Sequence, residues 1–195
     1  STLIPQPKIN LRSLPSIIGE KKKFQQWIGI APFAAHEGKT YPLPLMEKVI
    51  EKIIKKYPSC RIFLFGGGQK EKALLDNIVE KYSHCTNIAG LLKGFHQELI
   101  LIANLNLMVS MDSANMHLAS LVATPVVSIW GATHPFAGGM GWNQRMENAV
   151  QIDLYCRPCS IFGNKPCFRN DYICLNRISP DMVFSKVESI LNNCG

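Results

Sequence analysis

Short apolar runs alternate along the chain with longer segments in which apolar residues recur at helical spacing. The runs predict six strands, at residues 27–30, 61–65, 86–88, 107–110, 126–130 and 149–152. Helices are predicted at about residues 42–57, 69–82, 95–104, 114–122 and 179–193. Because strands and helices alternate, the pattern predicts an α/β protein with a doubly wound, Rossmann-like parallel sheet of about six strands. Ligands of such sheets bind beyond the carboxyl ends of the strands.

The size and composition of the chain narrow the class of protein. Its 195 residues predict one domain over residues 27–195, and the Pro- and Lys-rich residues 1–26 predict a linker or the cut end of a longer protein. The apolar runs are too short to span a bilayer, and the first residues lack the pattern of a signal peptide. The net charge of +7 suits an anionic ligand or an anionic membrane surface. Basic residues are not interleaved with aromatic ones, so no nucleic-acid partner is predicted.

The stretch after the fourth predicted strand carries the first candidate site. Ser113 is a good N-cap residue, and the backbone amides that start at Ala114 would point from the helix start toward an anion. A helix N-terminus beyond a parallel sheet is a ready phosphate site. Asp112 would repel a phosphate, so its carboxylate is better suited to ligand hydroxyl groups, and together these residues predict a sugar nucleotide. An ordinary strand-to-helix turn capped by the serine is the alternative.

Two further loops at the same edge carry candidate binding residues. Lys39 follows the first strand and can reach a diphosphate and neutralise the charge of a leaving group, although many loop lysines are simply exposed. After the second strand, Glu71 stands where a dinucleotide fingerprint requires its third glycine, which argues against a nicotinamide-dependent oxidoreductase. Glu71 can instead accept hydrogen bonds from ribose hydroxyls, or serve only as a first-turn glutamate favoured by the helix dipole.

The loop after the fifth strand is long and rich in glycine. Gly131, Gly138 and Gly139 would let the backbone approach a base or a pyrophosphate closely, and Thr133 lies in the same loop. His117 follows one helical turn after the cap serine, on the same helix face. It would either contact the ligand or, as the more common arrangement, be a hydrogen-bonded interior histidine.

Four cysteines are concentrated between residues 155 and 175. Cys156, Cys159, Cys167 and Cys174 form the pattern C-x2-C-x7-C-x6-C, in a segment that also holds proline and glycine. Four thiols in so short a window can bind a structural zinc ion. The alternatives are reduced packing cysteines or partial disulfides, although disulfides rarely persist in a cytosolic chain.

Three motifs together resemble a known family. They are Lys39-Thr40-Tyr41-Pro42, Asp112-Ser113-Ala114-x-x-His117-Leu118-Ala119 and Gly131-Ala132-Thr133-x-Pro135. In this order and spacing the chain resembles the heptosyltransferases, glycosyltransferase family 9, over most of its length. The usual family motif has Thr-Gly where this chain has Ser113-Ala114. Serine keeps the hydroxyl, and alanine is small enough for a phosphate to approach.

The resemblance implies a two-domain GT-B fold, of which this chain is the C-terminal half that binds the nucleotide-sugar donor. It implies that Lys39 contacts the donor diphosphate or sugar and that Asp112 binds sugar hydroxyls, both as catalytic residues. It also implies a binding set whose members hold phosphate, ribose and sugar: Ser113, Ala114, Glu71 (or Gln69 in a shifted register), His117, Gly131 and Thr133.

The implied reaction is a metal-independent, inverting transfer of heptose from ADP-heptose to a lipopolysaccharide core acceptor, with no cofactor. The family's proposed base and its acceptor site belong to the N-terminal domain, so this chain alone is expected to bind donor weakly and turn nothing over. The lipid-linked acceptor implies a cytoplasmic location at the inner face of the bacterial inner membrane, with peripheral membrane contact. The alternatives are a GT-B enzyme that uses a UDP- or GDP-sugar, and a non-enzymatic binding module held by zinc.

Overall fold

The computed structural model describes residues 11–135, 140–141 and 144–193. These residues form a parallel sheet of six strands in the order β3-β2-β1-β4-β5-β6. The strands are β1 (Trp27–Ala31), β2 (Arg61–Leu64), β3 (Cys85–Asn87), β4 (Leu107–Met111), β5 (Val126–Ile129) and β6 (Ala149–Val150). The predicted α/β class and doubly wound, Rossmann-like sheet are confirmed.

Helices connect the strands at nearly the predicted positions. They are α1 (Leu43–Lys56), α2 (Gly68–Lys81), α3 (Gly94–Ala103), α4 (Ala114–Leu121), α5 (Ile173–Asn176) and α6 (Pro180–Asn193). Short 3-10 helices lie at Glu37–Lys39 and Met146–Asn148. The main differences are in irregular parts of the chain: β6 is only two residues long, and α5 arises where the sequence has no helical period. Four residues form too short a pattern to be recognised against the turns around them.

Both faces of the sheet are covered, which explains the continuous apolar runs in its strands. Every residue of β1 and of β4 is buried. The side chains of β1 alternate between faces: Ile28 and Ile30 join the core that includes α1 and α6, whereas Trp27 joins the core on the side of α3 and α4. Trp27 also packs edge-on against Phe63 of β2, with ring centroids 4.9 Å apart. The two central strands are therefore enclosed by the core on both faces.

The segment before β1, which the sequence predicts as a linker or a cut end, contributes two side chains to the core. Leu14 and Ile18 are buried and join the core around Trp27. The guanidinium of Arg61 donates hydrogen bonds to the backbone carbonyls of Ile17, at 3.1 Å, and of Ile18. From residue 11 onward this segment thus packs as part of the domain, because its scattered apolar residues cover an edge of the core that the helices leave open. Residues 1–10 lie outside the described part of the chain.

The strand order fixes where a ligand can sit. The chain proceeds from β1 to β2 toward one edge of the sheet and from β4 to β5 toward the other, so the order reverses between β1 and β4. A crevice opens at such a point beyond the carboxyl ends of the strands. In the described ranges, the structure has no helix with both the length and the apolar character that a membrane span requires.

Candidate functional site

The loops that follow β1 and β4 meet at the reversal point. Ala31 pairs with Ser110 in the sheet, so the residues after them emerge side by side. Lys39, in the 3-10 helix Glu37–Lys39, places Nζ 3.2 Å from Asp112 Oδ2. The two side chains are only 16% and 12% exposed. An ion pair shielded to this degree is screened less by salt than a surface pair, so it holds a defined geometry.

A third loop, after β5, supports the same carboxylate. Thr133 is buried, and its Oγ1 donates a hydrogen bond of 3.1 Å to Asp112 Oδ2. Both Lys39 and Thr133 therefore use one oxygen of the carboxylate. In the part of the chain that the structure describes, Oδ1 of Asp112 accepts no hydrogen bond, and a carboxylate oxygen has two lone pairs to offer. Asp112 can therefore accept a hydrogen bond from a ligand hydroxyl while it keeps its contacts with Lys39 and Thr133.

The start of α4 has Ser113 at its N-cap position, as predicted, without a side-chain cap hydrogen bond. Ser113 occupies the N-cap position with extended backbone angles, but its hydroxyl makes no cap hydrogen bond. Ser113 Oγ instead lies 3.1 Å from Oγ of the buried Ser110. Ser113 is thus the N-cap residue by position, as predicted, while its hydroxyl pairs with Ser110 instead of with the helix amides. The amides at the helix start are consequently not occupied by the Ser113 side chain, and their positive potential is available to an anion.

These groups line a cleft of about 520 Å³, within the size range of small-molecule sites. Its lining residues are Phe33, Ala34, Ala35, Lys39, Glu71, Asp112, Ser113, Ala114, Asn115 and His117. The structure thus brings together predicted residues from three loops. Phe33, Ala34 and Ala35 lie in the loop after β1, which the sequence places at the edge where ligands of this fold bind, and the Asn115 amide lies at the predicted helix start.

Glu71 lines the cleft and also contacts its own helix start. Its Oε1 accepts a hydrogen bond of 3.1 Å from the backbone amide of Gly67, the N-cap residue of α2. Gln69, the alternative in the shifted register, is exposed and does not line the cleft. Glu71 therefore has the contact expected of a helix-start glutamate. Its carboxylate has further lone pairs with which it can accept hydrogen bonds from a ligand in the cleft.

His117 is exposed on α4 and lines the cleft. The prediction of an interior histidine, given as the more common arrangement, is wrong. The buried residues of α4 are Met116, Ala119 and Ser120, so this side of the helix faces the core. A helix of period 3.6 that buries position 116 turns position 117 away from the core. His117 is thus a cleft residue by its position.

Gly131 and Thr133 lie behind the cleft rather than in its lining. A Cβ atom on Gly131 would fall 2.5 Å from Leu175 Cγ and 2.6 Å from the carbonyl oxygen of Gly38. Glycine at position 131 therefore allows three segments to pack closely. Gly138 and Gly139, predicted for the same loop, lie outside the described residues.

Arg157 is a supporting residue that the sequence did not indicate. Its half-buried guanidinium donates hydrogen bonds to Ile152 O at 2.5 Å, Thr133 O at 2.9 Å and Gln151 Oε1 at 3.0 Å, and it also reaches Gly131 O. Burial lowers the pKa of this guanidinium, which still remains a cation at neutral pH. Arg157 cross-links the Thr133 loop to the chain after β6. Its neighbours in sequence carry no period from which this contact could be predicted.

Zinc binding by the four clustered cysteines, one of the readings that their spacing allows, is not shown by the described residues. Cys156, Cys159, Cys167 and Cys174 are all free thiols. Across the described ranges, no group of three or more His, Cys, Asp or Glu side chains is arranged to hold a metal ion. The segment is held against the β5 loop by its backbone, since the amide of Cys159 donates a hydrogen bond to Ala132 O at 3.1 Å.

Comparisons with known proteins bear on the family and the fold of the chain. The model of glycosyltransferase family 9 (heptosyltransferase) matches residues 6–165. A lipooligosaccharide heptosyltransferase 2 of Campylobacter jejuni is 27% identical over 142 residues, which cover 68% of this chain and 41% of the relative.

Two solved structures share the fold. One is an E. coli ADP-heptose LPS heptosyltransferase II, with a TM-score of 0.69, 21% identity and coverage of 91% of this chain and 50% of that one. The other is an E. coli heptosyltransferase with ADP, with a TM-score of 0.65, 16% identity and coverage of 89% and 47%. The chain spans about two fifths of the length of the C. jejuni relative. Its family match extends over most of the sequence, and the chain belongs to glycosyltransferase family 9.

Proposed function

We propose that this chain is the donor-binding half of an inverting glycosyltransferase that moves heptose from ADP-heptose to a lipopolysaccharide core acceptor. The observation that carries the proposal is the convergence of Lys39, Asp112 and the start of α4 on one cleft at the reversal point of the sheet. A cation and a helix N-terminus suit a diphosphate, and a carboxylate suits sugar hydroxyls. The names of the relatives, which include ADP-heptose and ADP, agree with this choice of nucleotide.

In the proposed mechanism, this chain stabilises the leaving group. As the bond between the anomeric carbon and the diphosphate breaks, negative charge accumulates on the phosphate oxygens. The Lys39 ammonium and the amides at the start of α4 lie where they can compensate that charge, so the transfer needs no metal ion. Asp112 accepts a hydrogen bond from a sugar hydroxyl through Oδ1, and Glu71 accepts hydrogen bonds from the ribose hydroxyls. Attack by an acceptor hydroxyl from the opposite face inverts the anomeric centre.

The acceptor site and the base that deprotonates the acceptor are assigned, in this proposal, to a part of the enzyme that this chain does not contain. The proposed acceptor is lipid-linked, which assigns the reaction to the cytoplasmic face of the inner membrane with peripheral membrane contact. The isolated chain is then expected to bind ADP and ADP-heptose without transferring sugar. Transfer at the rate of a complete enzyme would overturn the assignment to a donor half.

Titration calorimetry with ADP, UDP and GDP tests the proposal. We expect ADP to bind most tightly, and Lys39→Met to lower the affinity for ADP by about tenfold, the effect of losing one charge-assisted contact. Lys48→Met is the matched control, because Lys48 is exposed on α1 and loses the same charge without touching the cleft. Equal affinity for all three nucleotides would remove the preference for ADP. Equal effects of Lys39→Met and Lys48→Met on ADP affinity would show that Lys39 does not contact the nucleotide.

A further inference from the structure

The side chain of Lys39 is flanked by a glycine from the cysteine-rich segment, residues 155–175. Gly163 is buried, and its backbone has a φ of +70°. A Cβ atom at this position would lie 2.7 Å from Lys39 Cγ and 2.9 Å from Lys39 Cε. Real Cβ atoms do not approach other carbons so closely, because the distance is well inside van der Waals contact. The backbone of Gly163 therefore packs directly along the methylene chain of Lys39.

Gly163 is itself held in place from two sides. Its amide donates a hydrogen bond of 2.7 Å to Ser160 Oγ. Gly38 directly precedes Lys39 in the chain, and a Cβ atom on Gly38 would lie 3.3 Å from the carbonyl oxygen of Gly163. The amide of Ala132 in turn donates to Gly38 O at 2.8 Å. The cysteine-rich segment, the Lys39 loop and the β5 loop are thus packed as one unit around the lysine.

We propose that Gly163 is a positioning residue for the donor site. Because it has no side chain, the cysteine-rich segment can close over the methylene chain of Lys39 and confine the ammonium group beside Asp112. A free lysine side chain samples many rotamers, and a site that restricts them before the ligand arrives avoids that loss of entropy on binding. The inference deepens the proposed function, since it rests on Lys39 as the group that meets the donor diphosphate.

Gly163→Ala tests the proposal against a closely matched control. Gly90 has a φ of +76°, and nothing lies within 4 Å of where its Cβ would be. Both alanine variants therefore introduce the same backbone strain, but only Gly163→Ala displaces Lys39. We expect Gly163→Ala to weaken ADP binding by about tenfold, as the loss of one charge-assisted contact would, and Gly90→Ala to leave it unchanged. In a Lys39→Met background, Gly163→Ala should have no further effect on ADP affinity.

Two outcomes would overturn the positioning role. One is ADP affinity that is the same in Gly163→Ala as in Gly90→Ala. The other is a loss that persists in full when Lys39 is already methionine, since the glycine would then act through general structure. If Gly163→Ala does not fold, Ser160→Ala replaces it, because this change removes only the acceptor of the Gly163 amide. It should weaken ADP binding severalfold and only while Lys39 is present; unchanged ADP binding would overturn the proposal.

A measurement without nucleotide separates this proposal from the proposed function. The coupling energy between Lys39 and Asp112 is obtained from urea unfolding of Lys39→Met, Asp112→Asn and the double variant. We expect coupling in the parent chain and its loss in Gly163→Ala. If no nucleoside diphosphate binds but the coupling is lost in this way, the proposed function fails and the positioning role stands. Coupling that is the same in both backgrounds would overturn the positioning role.

Discussion

Thr133 and Asp112 are 21 positions apart in the chain, and the hydroxyl of Thr133 donates to the same carboxylate oxygen that Lys39 approaches. The carboxylate is therefore held from the loops after β1 and β5, while its own backbone directly follows β4. This arrangement orients Oδ1 independently of any ligand. In the proposed donor site, Lys39 and the start of α4 form the phosphate side and Asp112 forms the sugar side.

Thr133→Val should lower the free energy of unfolding by about 1 kcal/mol, the usual net contribution of one buried hydrogen bond. Valine has nearly the shape of threonine, so packing at this buried position is kept. We also expect the preference for ADP-heptose over ADP to fall, because Asp112 is less firmly oriented. Urea unfolding and calorimetry measure the two effects, and Thr133→Ser should restore both. A Thr133→Val variant with unchanged stability and unchanged preference would contradict the role of the hydroxyl.

Asp112→Asn should separate the two sides of the site. The substitution removes the negative charge of Asp112 beside the proposed phosphate position. It should raise the affinity for ADP severalfold, because like charges repel. The same change should abolish most of the preference for ADP-heptose over ADP, because an amide presents one acceptor oxygen instead of two. Asp181→Asn, on the exposed start of α6, is the control. Weaker ADP binding by Asp112→Asn would mean that the carboxylate serves mainly to hold Lys39.

Much of this architecture follows from the sequence, and the remainder depends on contacts between irregular segments. The strands were predictable because parallel strands covered on both faces need continuous apolar runs, and the approach of the Lys39 loop to Asp112 follows from the strand order. The Ser113 hydroxyl can bond either to the amides at the helix start or to the Ser110 hydroxyl. The two hydrogen bonds are of similar strength, so the sequence does not decide which one forms. The contacts of Gly163 and Arg157 were not predictable, because the cysteine-rich segment has no period that fixes which side chain faces which loop.

The cysteines should differ strongly in reactivity. Burial raises the pKa of the Cys60 thiol to about 11, and burial together with the nearby Cys60 raises that of Cys85 to about 12. For Cys167, partial desolvation raises the pKa, but hydrogen bonds from backbone amides of residues 169–172 outweigh it and lower the pKa overall. Since the thiolate is the reactive form, iodoacetamide should modify Cys167 well before the buried Cys60 and Cys85.

Mass spectrometry of the alkylated native protein at mildly alkaline pH measures this order. In denaturing urea the difference should disappear, because all thiols then have the same surroundings. Native Cys60 or Cys85 reacting as fast as Cys167 would show that burial does not protect them.

Tyr41 should make the fold sensitive to high pH. Burial raises the pKa of its phenol from 10.0 to about 12, and its hydroxyl donates to Ile178 O at 2.7 Å. Below pH 10 both folded and unfolded chains keep the proton. As the pH rises toward the folded-state pKa, only the unfolded chain loses it, so the free energy of unfolding falls by about 3 kcal/mol in total. Tyr41→Phe should flatten this decline in urea unfolding across the same range. An identical slope in both proteins would assign the decline to other groups.

Arg157→Lys should destabilise the domain although it keeps the charge. The planar guanidinium donates to several acceptors at fixed angles, including Thr133 O at 2.9 Å and Gln151 Oε1 at 3.0 Å. The ammonium of lysine is a compact donor that cannot reach all of them, and buried carbonyls left without a donor are unfavourable. We expect a loss of about 3 kcal/mol in the free energy of unfolding, in the range for breaking a buried charged network.

Arg157→Lys should also change ligand preference, because Arg157 holds the loop that carries Thr133. When the loop after β5 is no longer tied to the chain after β6, the Thr133 hydroxyl holds Asp112 less firmly. The preference for ADP-heptose over ADP should therefore fall even under conditions where Arg157→Lys is fully folded. Arg177→Lys, at an exposed position after α5, is the control and should change neither quantity. An Arg157→Lys protein as stable and as selective as that control would show that the guanidinium contacts do not maintain the site.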